Sequence, residues 1–270
     1  MMGFYEIKNL LTRSMTLNYN KAIPTNANAR GIPVPLKGKE ANCSKCKECE
    51  VLCPTKAITV KSDREISFDY GRCLHCGLCA DVCPDKVLEN SGFVYVMAFN
   101  KDEFKINYKE GEFTPQDFPI PENVTKFQKL TGKKGFTYRE IAAGGNNTVE
   151  CELNASFNNV FDSEGMQARS VASPKHADAI VFSGPVSKNM AVPLAIAWDC
   201  MPEPKALIAN GTEAISGGLF EQGELPKTPD LFIGGDPPRP DIMINAYRML
   251  MGVFKFSFQK ALKKFIQGEK

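Results

Sequence analysis

Cys43-Ser44-Lys45-Cys46-Lys47-Glu48-Cys49-Glu50-Val51-Leu52-Cys53-Pro54 and Cys73-Leu74-His75-Cys76-Gly77-Leu78-Cys79-Ala80-Asp81-Val82-Cys83-Pro84 are two copies of one pattern, CxxCxxCxxxCP. Three thiolates at this spacing wrap one corner of an iron–sulfur cube, and the fourth, in a proline-terminated turn, ligates the other cube of the pair. The expectation is two 4Fe-4S clusters with crossed ligand sets. Cys43, Cys46, Cys49 and Cys83 should hold one cluster, and Cys73, Cys76, Cys79 and Cys53 the other. Ile58 and Val87, one after each run, are expected as equivalent apolar covers of two pseudo-symmetric halves. Zinc also takes four thiolates, but its sites usually pair two CxxC units across a longer spacer. His75 lies among a complete set of thiolates and is expected beside the cluster or at the surface.

The duplicated motif implies an α+β, bacterial-type ferredoxin domain carrying two 4Fe-4S clusters, spanning 42–100 and closed by a strand in Phe93-Val94-Tyr95-Val96-Met97-Ala98. Before it, 1–41 reads as a mildly amphipathic helix over Met1–Arg13, with Phe4, Ile7, Leu10 and Leu11 apolar, followed by an extended arm containing Pro24, Pro33 and Pro35. After it, Pro115, Pro119 and Pro121 punctuate a charged stretch, and 101–144 is expected to be an interdomain linker. From 145 to 252 the apolar runs Ala179–Gly184, Ala206–Gly211 and Leu231–Gly235 end in turn residues and alternate with helical stretches. This pattern predicts an α/β, flavodoxin-like domain with a parallel sheet. Ligands in such sheets gather at the carboxyl ends of the strands. The last stretch, 253–270, spaces Phe254, Phe258, Ala261, Leu262, Phe265 and Ile266 along one helical face between lysines. Packing on its own domain is favoured over a membrane surface.

Composition narrows the function. The 270 residues carry a net charge of +2, which gives no electrostatic case for nucleic acid. No apolar run approaches the roughly 20 residues of a membrane-spanning helix, and the N-terminus lacks a signal pattern. The eight clustered thiols point to a reducing cytoplasm. No nucleophile with its base, phosphate loop, or flavin or nicotinamide fingerprint is present, so no catalytic residue is assigned.

Two resemblances extend this reading. The order Arg30-Gly31-Ile32-Pro33, first run, Ile66-Ser67-Phe68-Asp69-Tyr70-Gly71-Arg72-Cys73, then Val94–Lys101 resembles the ferredoxin-type subunit of complex I and of membrane-bound, energy-converting nickel–iron hydrogenases. Ser173-Pro174-Lys175-His176-Ala177-Asp178, Met201-Pro202-Glu203-Pro204-Lys205 and Gly235-Asp236-Pro237-Pro238 resemble the small-subunit family of the same complexes and of formate hydrogenlyase. The chain thus looks like a fusion of the two. The resemblance implies an electron-transfer role alongside membrane subunits and a hydrogenase-type large subunit, with the chain peripheral on the cytoplasmic face of the inner membrane. A soluble redox carrier is the alternative partner.

The small-subunit family holds one cluster on four cysteines at the strand ends. Here Cys151 matches one, whereas Thr148, Glu213 and Asp236 stand where the resemblance implies the others. Two readings stay open. Glu213 and Asp236 could join Cys151 around a third, unusual cluster or another metal, or the cluster is lost and polar residues fill its place. Cys200 has no family counterpart as a ligand and is expected in a core.

Overall fold

The computed structural model describes residues 11, 16–19, 29–38 and 43–268. The helix expected over Met1–Arg13 lies, apart from residue 11, outside the described residues. Among the described residues, eleven strands form three sheets. The first six are β1 (Pro33–Pro35), β2 (Ile58–Ser62), β3 (Glu65–Asp69), β4 (Leu88–Asn90), β5 (Met97–Ala98) and β6 (Lys105–Lys109). The remainder are β7 (Phe136–Ala142), β8 (Ala168–Ser170), β9 (Ala179–Ser183), β10 (Ala206–Asn210) and β11 (Leu231–Ile233).

The cysteine module rests on the antiparallel sheet β2-β3-β6. Successive strand residues face opposite sides, and here Ile58, Val60, Ile66, Phe68, Ile106 and Tyr108 turn inward while their neighbours meet water. The arm joins as β1, antiparallel to β4. Gly31 enters it at φ +66°, where a Cβ would stand 2.4 Å from the Phe93 nitrogen, so only glycine fits. Tyr70 is fully buried, and its hydroxyl donates to the Pro33 carbonyl and meets the Tyr108 hydroxyl, both at 2.8 Å.

The second module is a mixed sheet in the order β5-β11-β10-β9-β7-β8. Five strands are parallel and β5 runs antiparallel to β11. Counted along the chain, the parallel strands lie in the order 2-1-3-4-5. Every residue of β9, β10 and β11 is buried, as befits strands covered on both faces. The helix Pro240–Leu250 lies on β11 and β5 and touches the helices Glu122–Thr131 and Thr148–Ala155.

Residues 101–144 are not a linker. They supply β6 to the cysteine module, the helix Glu122–Thr131, and β7, a strand inside the large sheet. The charged alternation of Lys105–Lys109 is that of a half-buried strand. The strand expected to close the first module instead edges the second sheet, because Met97 and Ala98 pair with Ile233 and Phe232. The two modules therefore share one continuous core.

The C-terminal helix Phe258–Ile266 seals that core. Phe258 is fully buried, with its ring 5.4 to 6.2 Å from those of Tyr70, Phe93 and Phe104. Burying such a side chain is worth about 1.5–3 kcal/mol. Glu103 Oε1 accepts from the Phe258 N–H at 2.8 Å and the Ser257 hydroxyl at 3.1 Å, capping the helix from another element. Lys260 pairs with Asp117, and Lys263 lies over the Phe113 ring at 5.6 Å. The apolar stripe thus packs on its own chain.

Candidate metal centre

The two cysteine runs fold alike. Each turns through a left-handed residue, Lys47 at φ 52° or Gly77 at φ 80°, into a one-turn helix, Glu48–Val51 or Leu78–Asp81. Each helix closes with an equivalent bond of 2.9 Å, Leu52 N–H to the Glu48 carbonyl and Val82 N–H to that of Leu78. Beyond each Cys-Pro, Lys56 and Lys86 adopt φ of 53° and 50°. That turn aims the Ala57 and Val87 amides at Cys53 Sγ and Cys83 Sγ, both at 3.2 Å. The equivalent residues are therefore Ala57 with Val87 and, one step on, Ile58 with Leu88. Val87 is thus not the counterpart of Ile58.

Between the runs lie two similar cavities. Cys53 lines the first with Cys73, Cys76 and Cys79, beside Ile58 and Phe68. Cys83 lines the second with Cys43, Cys46 and Cys49, beside Val60 and Ile66. Each cavity thus combines three sulfurs of one run with the fourth of the other. Among the described residues no three His, Cys, Asp or Glu side chains gather as a single-ion site. Burial, followed by the charges of neighbouring thiols, pushes the Cys49 thiol up to about 11 and that of Cys79 to about 12. Metal loading must therefore expel thiol protons. The chemistry of this donor set fits two 4Fe-4S clusters, with the Ala57, Val87 and His75 amides donating to cysteine sulfur. His75 itself is held neutral by burial, which lowers its imidazole to about 4.

The strand ends are arranged otherwise. Cys151 is exposed on the helix Thr148–Ala155, with the Asn147 amide 3.7 Å from its sulfur. Glu213 is buried beside Gly145, where a Cβ would stand 2.6 Å from Glu213 Oε2. The backbone N–H of Asn146 donates to that same oxygen at 3.3 Å. The Asn146 side-chain amide reaches both Asp236 oxygens at 3.3 Å, and its own oxygen accepts from the Thr148 N–H at 3.0 Å. Asn146 thus ties the turns after β7, β10 and β11 together. Burial, then the charges of Asp236 and Glu150, raises the Glu213 carboxyl above its ordinary value. Two carboxylates engaged by an amide, with one exposed thiol, do not fit a cluster built on four thiolates.

Asn146 and Thr212 were not among the expected site residues. Asn-Asn-Thr before a helix is a recognisable cap signal, but its bridging role depends on partners far along the chain. Cys200, expected in a core, is exposed, because it caps the end of the helix Lys188–Asp199. Lys205, from the Met201–Lys205 element, is buried. Its ammonium donates to the Trp198 carbonyl at 2.8 Å and lies 4.6 Å from the Trp198 ring centre, closing the C-terminus of that helix.

Residues 42–87 match the family described as 4Fe-4S dicluster domain, and 145–250 match NADH ubiquinone oxidoreductase, 20 Kd subunit. The two matched segments follow one another in one polypeptide. It is 31% identical over 152 residues to formate hydrogenlyase subunit 7 of Escherichia coli, covering 52% of this chain and 59% of that one. To the probable membrane-bound hydrogenase subunit mbhJ of Pyrococcus furiosus it is 24% identical, over 56% of this chain and 89% of the other. To an NADH-quinone oxidoreductase subunit of Chloroflexus aurantiacus it is 38% identical, over 37% and 56%. The chain therefore spans little more than half the length of the first and third of these relatives.

Proposed function

We propose that this chain is the electron-transfer iron–sulfur subunit of a membrane-associated, hydrogenase-like or complex I-like oxidoreductase, passing single electrons through two 4Fe-4S clusters. One cluster is held by Cys43, Cys46, Cys49 and Cys83, the other by Cys73, Cys76, Cys79 and Cys53. The observation that carries the reading is the pair of cavities, each lined by three cysteines of one run and the fourth of the other. Clusters of this kind take up and release single electrons, and the protein tunes them by hydrogen bonds to sulfur and by exposure. The chain's own residues bury the clusters beneath β2-β3-β6 and direct backbone amides at their ligands.

Its partners are membrane subunits and a hydrogenase-type large subunit, and it sits peripherally at the cytoplasmic face. Among the described residues no helix is long and apolar enough to cross a membrane, so attachment falls to partners. The 2-1-3-4-5 strand order supports a flavodoxin-like second module. That module holds no third cluster, a reading supported by the Asn146 contacts to Glu213 and Asp236. A second role, an independent ferredoxin-type carrier joined to a cluster-free docking scaffold domain, is disfavoured by the shared core.

Iron and acid-labile sulfide analysis with EPR on the reduced full chain tests this. About eight irons are expected for two clusters. About twelve irons, with four lost on Cys151→Ala, would restore a third cluster, and two or fewer metal ions per chain would defeat the reading.

A further inference from the structure

Thr212 is fully buried and is the first residue of the short helix Thr212–Ser216, which follows β10 after the Gly211 turn. Its backbone N–H donates to the Gly235 carbonyl at 2.9 Å, and its Oγ1 accepts from the Gly235 N–H at 3.1 Å. A hydroxyl has a single proton to give, and this one goes across the module boundary to the Cys73 carbonyl at 2.9 Å. Cys73 is held from two further sides. Its N–H donates to the Tyr70 carbonyl at 3.2 Å, and its sulfur accepts from the His75 N–H at 3.4 Å. Around this contact the Lys101 ammonium donates to the Ile215 carbonyl at 2.7 Å, and Gly71 lies close against the Ile215 side chain. The first run has a different arrangement, since the Cys43 carbonyl accepts from Lys47 N–H of its own run.

We propose that Thr212 is a positioning residue for the cluster ligated by Cys73, Cys76, Cys79 and Cys53, setting that cluster's potential from the strand-end turns of the second module. This rests on the two-cluster reading. The hydroxyl fixes the peptide that follows Cys73, and that backbone carries the His75 amide to the Cys73 sulfur. Hydrogen bonds to sulfur are a principal control on cluster potential. Thr212→Val keeps the shape but deprives the Cys73 carbonyl and the Gly235 amide of a partner in a buried place, which is costly for both. The Cys73 loop must then shift to find other partners.

The test is an EPR-monitored redox titration of the full-length wild type, T212V and T212S, each reconstituted anaerobically with iron and sulfide and assayed for iron. In T212V one cluster's reduction equilibrium should move threefold or more, about 28 mV for a one-electron couple, and its signal should change shape. The other cluster should stay as in the wild type, and T212S, which keeps the hydroxyl, should restore both. With iron content intact, two unchanged potentials, two equal shifts, or a T212S as displaced as T212V would overturn the proposal. If T212V assembles incompletely, loss of the second-run cluster alone supports the assignment and loss of both overturns it. A wild type short of about eight irons defeats the two-cluster reading itself.

Discussion

The two cysteine runs are near copies in backbone, yet they face different surroundings. The first is tied down at its exposed edge, where Ser44 N–H and Oγ donate to Asp63 Oδ1 at 2.9 and 2.6 Å. Its one-turn helix leaves Val51 75% exposed. The second run begins at the buried Cys73, bonded to Thr212 of the other module, and its Cys76 carbonyl accepts from Arg30 of the arm at 2.8 Å. A duplicated motif thus gives two equal cages, and the rest of the fold makes them unequal. Since exposure and hydrogen bonding set cluster potentials, identical ligand sets will not titrate together. Both runs meet solvent, the first through Val51 and the second through Cys76.

The comparison breaks most severely if the ligand sets are not crossed. Cys53→Ala and Cys83→Ala should each remove one cluster, lowering iron from about eight to about four per chain. The crossing fixes which one. Cys83→Ala should abolish the same EPR signal as Cys49→Ala, and Cys53→Ala the same as Cys79→Ala. If Cys53→Ala and Cys49→Ala remove the same signal, each run holds its own cluster and the cavities have been misassigned.

The cysteine order is legible as a repeated local spacing, and the structure brings three thiols of one run together with the fourth of the other around each cavity. The parallel strands were legible because strands buried on both faces are continuous apolar runs, as in Ala179–Ser183. What escaped is non-local. β5 has two residues and β6 carries a lysine at each end, so neither announces which sheet it joins. Asn146 contacts Asp236 across 90 positions and Thr212 contacts Cys73 across 139. No pattern around a single polar residue reveals such partners. Thr148, Glu213 and Asp236 were visible in the sequence as non-cysteine residues, but the asparagine that bridges them was not. Cys200 departs from the usual burial of a free cysteine because it sits at the exposed end of a helix.

A smaller effect should separate the anchors. Asp63→Ala removes both Ser44 bonds and should perturb only the first-run cluster, in its EPR line shape or its rate of loss to a chelator. The change should be milder than that of T212V on the second run, because water replaces an exposed acceptor and cannot reach the Cys73 carbonyl. An effect on the second-run signal as large as on the first would mean that the halves are coupled and the comparison is too simple.

The least effect is expected at the strand ends, and its sign is informative. Burial with the charges of Asp236 and Glu150 raises the Glu213 carboxyl above its ordinary 4.5. Between the unfolded and folded values the native chain binds more protons, so this group's contribution to stability falls as pH rises through that window. Glu213→Gln cannot ionise and keeps an oxygen for the Asn146 N–H. It should match the wild type below the window, gain on it as pH rises, and hold that advantage above it. Asp63 behaves oppositely, since the Ser44 bonds lower its value and its contribution fades as pH falls. Denaturant midpoints of the two forms across pH, kept above the range where the clusters dissolve, read the difference. If Glu213→Gln is instead less stable throughout and sheds iron, the carboxylate serves as a ligand. The strand ends would then be a third redox site, and the contrast between the runs would no longer describe all the redox chemistry of the chain.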